Sequence, residues 1–391
     1  MAPNLSTSGN KAYLTWLEPA SSEKADAAKR LALRFSVFDA GTWSPARTIV
    51  ESDRFFANWA DFPGIAMSRD GALFAHWPEK SAPATYAYDV QLARSIDGGK
   101  TWERLGPLNR DGIDAEHGFV SLLPADDGLH AFWLDGREVG KADGVDGEHG
   151  TAAMTLRAAL LPAGADPLSR LMEDRLLDER VCDCCQTSAA MTSIGPVLVY
   201  RDRDGKEVRD TWIVRKTEQG WGEPRPVSVD GWEVPGCPVN GPAVAAEGDR
   251  VAVAWFTASG NRPRVLAALS NDSGATFDEP IEVDASNPPG RVGIVLDDRS
   301  GAIVSWLAAA DAESFPAIEG AREPAAIKLR RISTRGGAGD SMTIEVTRRA
   351  RSSGFPRMAR IGGLLLVAWT EPGEASRIRA VAILVAAVPQ V

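Results

Sequence analysis

Apolar residues along this chain gather in short runs that close on an aromatic. Seven such runs stand out: residues 12–16, 73–77, 129–133, 197–200, 251–255, 302–306 and 365–369, ending on Trp16, Trp77, Trp133, Tyr200, Trp255, Trp306 and Trp369. Each is four or five residues long and rich in Val, Leu, Ala and aromatics, which predicts a buried strand rather than a helix. The closing aromatics follow one another at intervals of 51 to 67 residues. A fixed recurrence of that size is the mark of a repeat architecture.

Each run sits inside a larger unit. Upstream lies another strand and a turn such as Arg69-Asp70-Gly71 or Asp126-Asp127-Gly128; downstream lie a loop, a third strand, a tight turn and a fourth strand. The fifth unit displays all four strands, at residues 241–246, 251–256, 264–270 and 280–283. Four antiparallel strands per unit at this period predict an all-β propeller occupying residues 1–391 as one domain. The count is seven blades, or six if a terminal unit is a partial blade. Residues 4–8 start the first unit, and the seventh stops after its third strand near Leu384. Helix is expected below roughly 10% of residues, against a globular norm near a third. Residues 21–33, with good helix formers, are the expected exception.

Two of the turns between third and fourth strands share the pattern S-x-D-x-G-x-T-aromatic. They carry Ser95, Asp97, Gly99 and Trp102, and Ser270, Asp272, Gly274 and Phe277. The pattern resembles the Asp-box, or BNR repeat, of sialidase-like β-propellers. The carboxylate suits turn amides, the glycine tolerates positive φ, and the aromatic is expected to pack back into the blade. The resemblance implies a structural role for these residues and leaves the chemistry open.

In an antiparallel blade the lead-in to strand one and the loop joining strands two and three share a face, and the Asp-box turns lie opposite. Strand one is innermost, so the lead-in segments crowd the channel mouth. They carry Trp59 and Asp61, Glu116 and His117, Cys182-Asp183-Cys184-Cys185-Gln186, Cys237 and Asn240, Arg291, and Arg357. All four cysteines therefore fall in two consecutive lead-in segments and are expected to be neighbours, with His117 beside them. His149, in the Gly- and Asp-rich loop of residues 138–150, joins that face. His76 and His130 do not: the first reads as a satisfied core histidine, and the second sits at the far end of its blade. Acids two positions after five of the aromatics (Glu18, Glu79, Asp135, Asp202 and Glu371) read as a solvated rim.

The composition adds exclusions. Of 391 residues, 53 are acidic and 43 basic, a net charge of −10, which disfavours nucleic acid as a partner. No apolar stretch reaches the roughly 20 residues of a membrane span. A small molecule, metal or glycan at the channel mouth stays open, as does the oligomeric state. The cysteines suit an exported, periplasmic or secreted protein whose leader is absent from this sequence. They read as disulfides stapling an interaction scaffold, or as a thiolate site with His117 for one copper or zinc ion, or as one bridge with a free reactive thiol. No other cofactor is expected.

The resemblance also implies a glycoside hydrolase of exo-sialidase type as an alternative. Sialidases of this fold bind the substrate carboxylate with an arginine triad and use a Tyr–Glu pair with an aspartic acid. Here Asp61 occupies a position where a guanidinium is needed, while Arg291 and Arg357 supply two anion contacts. The sequence assembles no Tyr–Glu pair from Tyr13, Tyr86, Tyr88 and Tyr200. A sialidase-like propeller without true sialidase activity is the reading that results, its catalytic residues unassigned.

Overall fold

The computed structural model describes residues 3–20, 30–139, 152–163, 174–297, 301–310, 324–335, 337–373 and 376–391. His149 and residues 21–29 lie outside them; Leu31–Asp39, at the end of the expected helix, is a strand. Each of the seven aromatic-ended runs is the second strand of an antiparallel sheet. The protein is an all-β propeller of seven blades with almost no helix. In the fifth blade the strands are Ala243–Glu247, Arg250–Thr257, Arg264–Ser270 and Ile281–Asp284. Asn4–Ser8 opens the first blade, and the seventh ends with its third strand, Arg377–Leu384.

Contacts divide the chain into two compact units, Met1–Asp183 and Cys184–Val391. The first holds blades one to three, and the second holds blades four to seven. Within each unit, neighbouring blades bury a shared apolar layer. Phe35 and Leu33 of blade one pack with Trp77 and Ala75 of blade two. Trp255 of blade five packs over Val199 of blade four, and Trp306 of blade six over Ala254 of blade five. Trp77, Trp133, Trp255 and Trp306 are essentially fully buried.

A buried indole must place its N–H. On a strand, residues i and i+2 share a face, and this chain uses that geometry directly. Trp16 donates to Glu18 at 2.7 Å, Trp77 to Glu79 at 2.9 Å and Trp133 to Asp135 at 2.8 Å. In blades five and six the acceptor comes from the preceding blade: Asp230 for Trp255 at 2.7 Å and Asp284 for Trp306 at 2.6 Å. The expected solvated rim is thereby corrected. Glu79, Asp135 and Asp202 are buried, and the first two acids are there because an indole N–H requires them.

The two S-x-D-x-G-x-T turns share one arrangement. Asp97 accepts from the Lys100 and Thr101 amides at 2.9 and 3.0 Å and from the Thr101 hydroxyl at 2.7 Å, while Ser95 Oγ receives the Gly99 amide at 2.8 Å. Asp272 accepts from the Thr276 amide and hydroxyl at 2.9 and 2.6 Å, and Ser270 receives the Gly274 amide at 3.0 Å. Trp102 packs on the apolar layer that blades one and two share. It meets Phe35 of the preceding blade edge-on at 5.8 Å, because the apolar layer lies between blades.

Candidate active site

The lead-in segments are stitched to one another by polar side chains. In the second unit, Gln186 Oε1 accepts the Gly241 amide at 3.2 Å, Asn240 Oδ1 accepts the Arg291 amide at 2.7 Å, and Arg291 Nη1 donates to the Gly354 carbonyl at 2.5 Å. In the first unit Asp61 Oδ1 takes the same place, accepting the Phe119 amide at 3.0 Å. Phe119 and Arg291 are equivalent: both have positive φ, 55° and 56°, both follow a glycine, and both sit at an irregularity in the first strand. Asp61 thus performs a task that a neutral amide performs elsewhere in the same chain. A carboxyl in place of an amide is the first sign that more than structure is involved.

The second oxygen of Asp61 shows what it is for. The buried Tyr88 hydroxyl lies 3.1 Å from Asp61 Oδ2 and 2.8 Å from Glu116 Oε1. Tyr88 stands at the start of the third strand of blade two, Tyr88–Ser95, and Glu116 immediately precedes the first strand of blade three, His117–Ala125. Gly118 permits the approach, since a Cβ there would stand 1.9 Å from Asp61 Oδ2. A phenol has one proton to donate. It satisfies one carboxylate, so the other carboxyl must be protonated and donate to the phenolic oxygen. The trio therefore carries one proton more than three independently titrating groups would at neutral pH.

The electrostatics agree. Burial pushes Asp61 up to about 7, against the Phe119 amide and the Tyr88 hydroxyl, which favour the charge. Burial of its carboxyl end, with Asp61 and Asp183 nearby, pushes Glu116 up to about 8. Burial, followed by the two carboxyls, holds the Tyr88 phenol well above its ordinary range. Asp61 and Tyr88 are buried and Glu116 is half-buried, so Glu116 is the least covered residue of the three. Two carboxyls with elevated proton affinity, joined through a phenol, form a proton relay matched to chemistry near neutral pH.

A second network lies behind the first. His117 is fully buried, with Nδ1 3.2 Å from the Tyr88 carbonyl oxygen and Nε2 3.0 Å from Asp111 Oδ2. Burial opposes its charge, but the Asp111 hydrogen bond and the Asp135, Asp111 and Asp89 carboxylates raise its pKa. Asp111 is held down to about 2: burial works the other way and is outweighed by His117, the Ile113 amide and Arg137. Asp111, His117 and Asp135 have the donor types of a cation site. Arg137 already fills that role, its guanidinium 2.9 Å from Asp111 and 2.7 Å from Asp135. The network anchors the segment that carries Glu116.

The sequence-derived candidates are placed as follows. His117 belongs to the carboxylate network, with Nε2 engaged by Asp111 and Nδ1 by the Tyr88 carbonyl rather than by the thiols. Cys182 and Cys185 are buried, Cys184 is half-buried and Cys237 is exposed. The sulfurs of Cys182, Cys184 and Cys185 lie within 4.8 Å of one another in a single tetrapeptide, a group that leaves out Cys237. Cys185 Sγ accepts the Asn240 amide at 3.4 Å. Gln186, Asn240 and Arg291 are the stitches described above, and burial lowers both Arg291 and Arg357 to about 10. Trp59 is half-buried beside Asp61 in the chain. His76 is buried and held down to about 3 by that burial; its Nδ1 has no partner among the described residues. His130 pairs with Asp127 at 2.9 Å. Tyr88 and Glu116 were missed as a pair because 28 residues separate them. Matching the lead-in segments blade by blade would have exposed Asp61 as the acid among amides.

No protein-family model matches the chain, and no curated protein matches it in sequence. Solved structures match in fold. The polysaccharide lyase Uly1 is 10% identical, with a TM-score of 0.54, over 97% of this chain and 89% of its own. An α-L-arabinofuranosidase from Fusarium graminearum, solved with an iminosugar inhibitor, is 12% identical, with a TM-score of 0.51, over 84% of this chain and 94% of its own. A microbial sialidase, Hz136, is 14% identical, with a TM-score of 0.45, over 78% of this chain and 62% of its own. The likeness is one of fold.

Proposed function

We propose that this sialidase-like propeller is a glycan-cleaving enzyme working by acid–base catalysis, with Glu116 as the proton donor and Tyr88 and Asp61 as its relay. One observation carries the reading: a buried phenol held between two carboxyl oxygens at 3.1 and 2.8 Å. In the step envisaged, Glu116 gives the trio's extra proton to the bridging oxygen of the substrate as the sugar C–O bond breaks and a water molecule adds to the sugar carbon. The trio is left with the Tyr88 proton shared between two carboxylates, and the proton released by the added water restores it, Asp61 and Tyr88 sharing that proton with Glu116. Proton transfer of this kind supplies about 10²–10⁴ in rate. An arabinofuranosidase and a polysaccharide lyase among the proteins of similar fold support glycans as the substrate class.

The two S-x-D-x-G-x-T-aromatic turns read as Asp-boxes of the same superfamily. Tyr88 with Glu116 fits a Tyr–Glu pair, yet the reading stops short of sialosides, because Asp61 stands where a guanidinium is needed and offers a substrate carboxylate no cation. The test is turnover on a panel of aryl glycosides and polysaccharides by the native protein, Glu116→Gln and Tyr88→Phe. Glu116→Gln should lose at least a hundredfold in kcat, and Tyr88→Phe should lose activity with KM little changed. Full turnover by Glu116→Gln would refute the assignment.

A second reading concerns the thiols. Three sulfurs within 4.8 Å favour a soft ion, Cu(I) or Zn(II), held by Cys182, Cys184 and Cys185. Metal analysis of protein purified without chelator tests it. Roughly one equivalent, lost in Cys184→Ser, is expected; a metal-free native protein after copper or zinc loading would exclude it.

A further inference from the structure

Beside the relay stands an aromatic array that the chemistry above does not use. Phe56 stacks on Tyr88 with ring centroids 4.1 Å apart and planes 14° from parallel. Tyr86 then meets Phe56 edge-on at 6.2 Å. Tyr88 and Phe56 are covered to different degrees, but Tyr86 is 51% exposed, which is unusual for so large a ring. The array therefore runs from a buried phenol at the reacting groups to an open phenol at the surface, within one blade and its lead-in segment.

The loop that presents Tyr86, residues 81–87, is tied down. Ser81 and Ala87 pair across its base at 3.1 Å. Lys80 Nζ reaches over to the Thr85 carbonyl at 2.9 Å and also to the Ala84 carbonyl. The Lys80 ammonium lies 5.8 Å from the Phe56 ring centre. Arg54, the next cation along, donates to the Lys80 carbonyl at 2.9 Å and faces Glu79 at 3.5 Å. Both cations are thus taken up in holding the loop. A fixed, exposed aromatic ring costs little entropy on binding, and its negative face suits the weakly positive C–H groups on the flat side of a sugar.

We propose that Tyr86, braced by Phe56, is a stacking subsite for a neutral sugar ring adjoining the bond that Glu116 protonates. The inference rests on the glycan reading above and adds where the chain is gripped and what charge it carries. A carbohydrate fits the array better than a peptide or lipid does. The surface offered is one flat ring flanked by carbonyl-bound cations.

Affinity electrophoresis through gels containing arabinan, xylan, galactan or, as anionic arms, alginate and ulvan tests the proposal. The native protein and Glu116→Gln should both be retarded by at least one neutral polysaccharide. Tyr86→Ala should run there as in an empty gel, with Kd raised about tenfold, the equivalent of 1.4 kcal/mol. Tyr86→Trp should restore retardation. Circular dichroism of Tyr86→Ala should match the native protein. Undiminished retardation of Tyr86→Ala, retardation only by the anionic gels, or no retardation in any gel would each overturn the subsite. The catalytic reading is judged separately, by the turnover of Glu116→Gln.

Discussion

Asp61→Asn separates a shared proton from an ordinary structural carboxylate. The amide keeps every contact: its oxygen still accepts the Phe119 amide, and its nitrogen donates to the Tyr88 oxygen, freeing the phenol to donate to Glu116. Asn240 already serves in this way one unit further along the chain. What changes is titration. Asp61 goes from 3.8 unfolded to about 7 folded. A raised carboxyl pKa means that the native state holds the proton longer than the unfolded state does. The Asp61 contribution to stability therefore falls as pH rises from about 4 to about 7 and levels off above. At about 1.36 kcal/mol per pH unit the loss is roughly 4 kcal/mol at most, and less where Glu116 takes up part of the titration. The variant lacks this loss. In urea unfolding followed by circular dichroism, native protein and Asp61→Asn should match near pH 4. The variant should become the more stable by up to roughly 4 kcal/mol at pH 8, while turnover collapses. A difference that does not change with pH, or a variant less stable at pH 8, would show that Asp61 is ionised in the fold and would refute the shared proton.

Other outcomes follow from the same geometry. Gly118→Ala, which places a Cβ 1.9 Å from Asp61 Oδ2, should abolish turnover while urea unfolding still shows a cooperative transition; normal activity would mean that the Asp61–Tyr88 contact is dispensable. Asp135→Ala leaves the buried Trp133 N–H without its acceptor and removes one carboxylate from Arg137, so stability should fall by roughly 2–4 kcal/mol, read from the urea midpoint. Asp272→Ala should lower stability and spare turnover. Burial works against the charge of Asp272, but Thr276 and Ser270 hold it down to about 2. Its contribution is thus present above pH 4 and lost as pH falls towards 2, so native and variant melting temperatures should converge there.

The architecture was legible in the sequence because strands announce themselves locally. An apolar run such as residues 251–255 buries both faces wherever it lies, and a turn built on Asp272 satisfies its own amides within five residues. Seven repetitions of that local pattern leave a propeller as the arrangement that pairs each strand, and even the short seventh blade could be read from where the runs stop.

The site was a different matter. Asp61, Tyr88 and Glu116 each look ordinary in sequence: an acid in a loop, a tyrosine beginning a strand, and an acid before a histidine. Their meaning is a distance and a dielectric. Tertiary packing brought the phenol within 3.1 Å of both carboxyls and removed the water that would have kept them charged. The same packing turned His117 towards Asp111 and away from the thiols, and buried Glu79 and Asp135 beneath indoles where charge pattern suggested a wet rim. A sequence specifies which groups can ionise. Only the fold decides which of them must share a proton, because that depends on the neighbours and solvent each one meets.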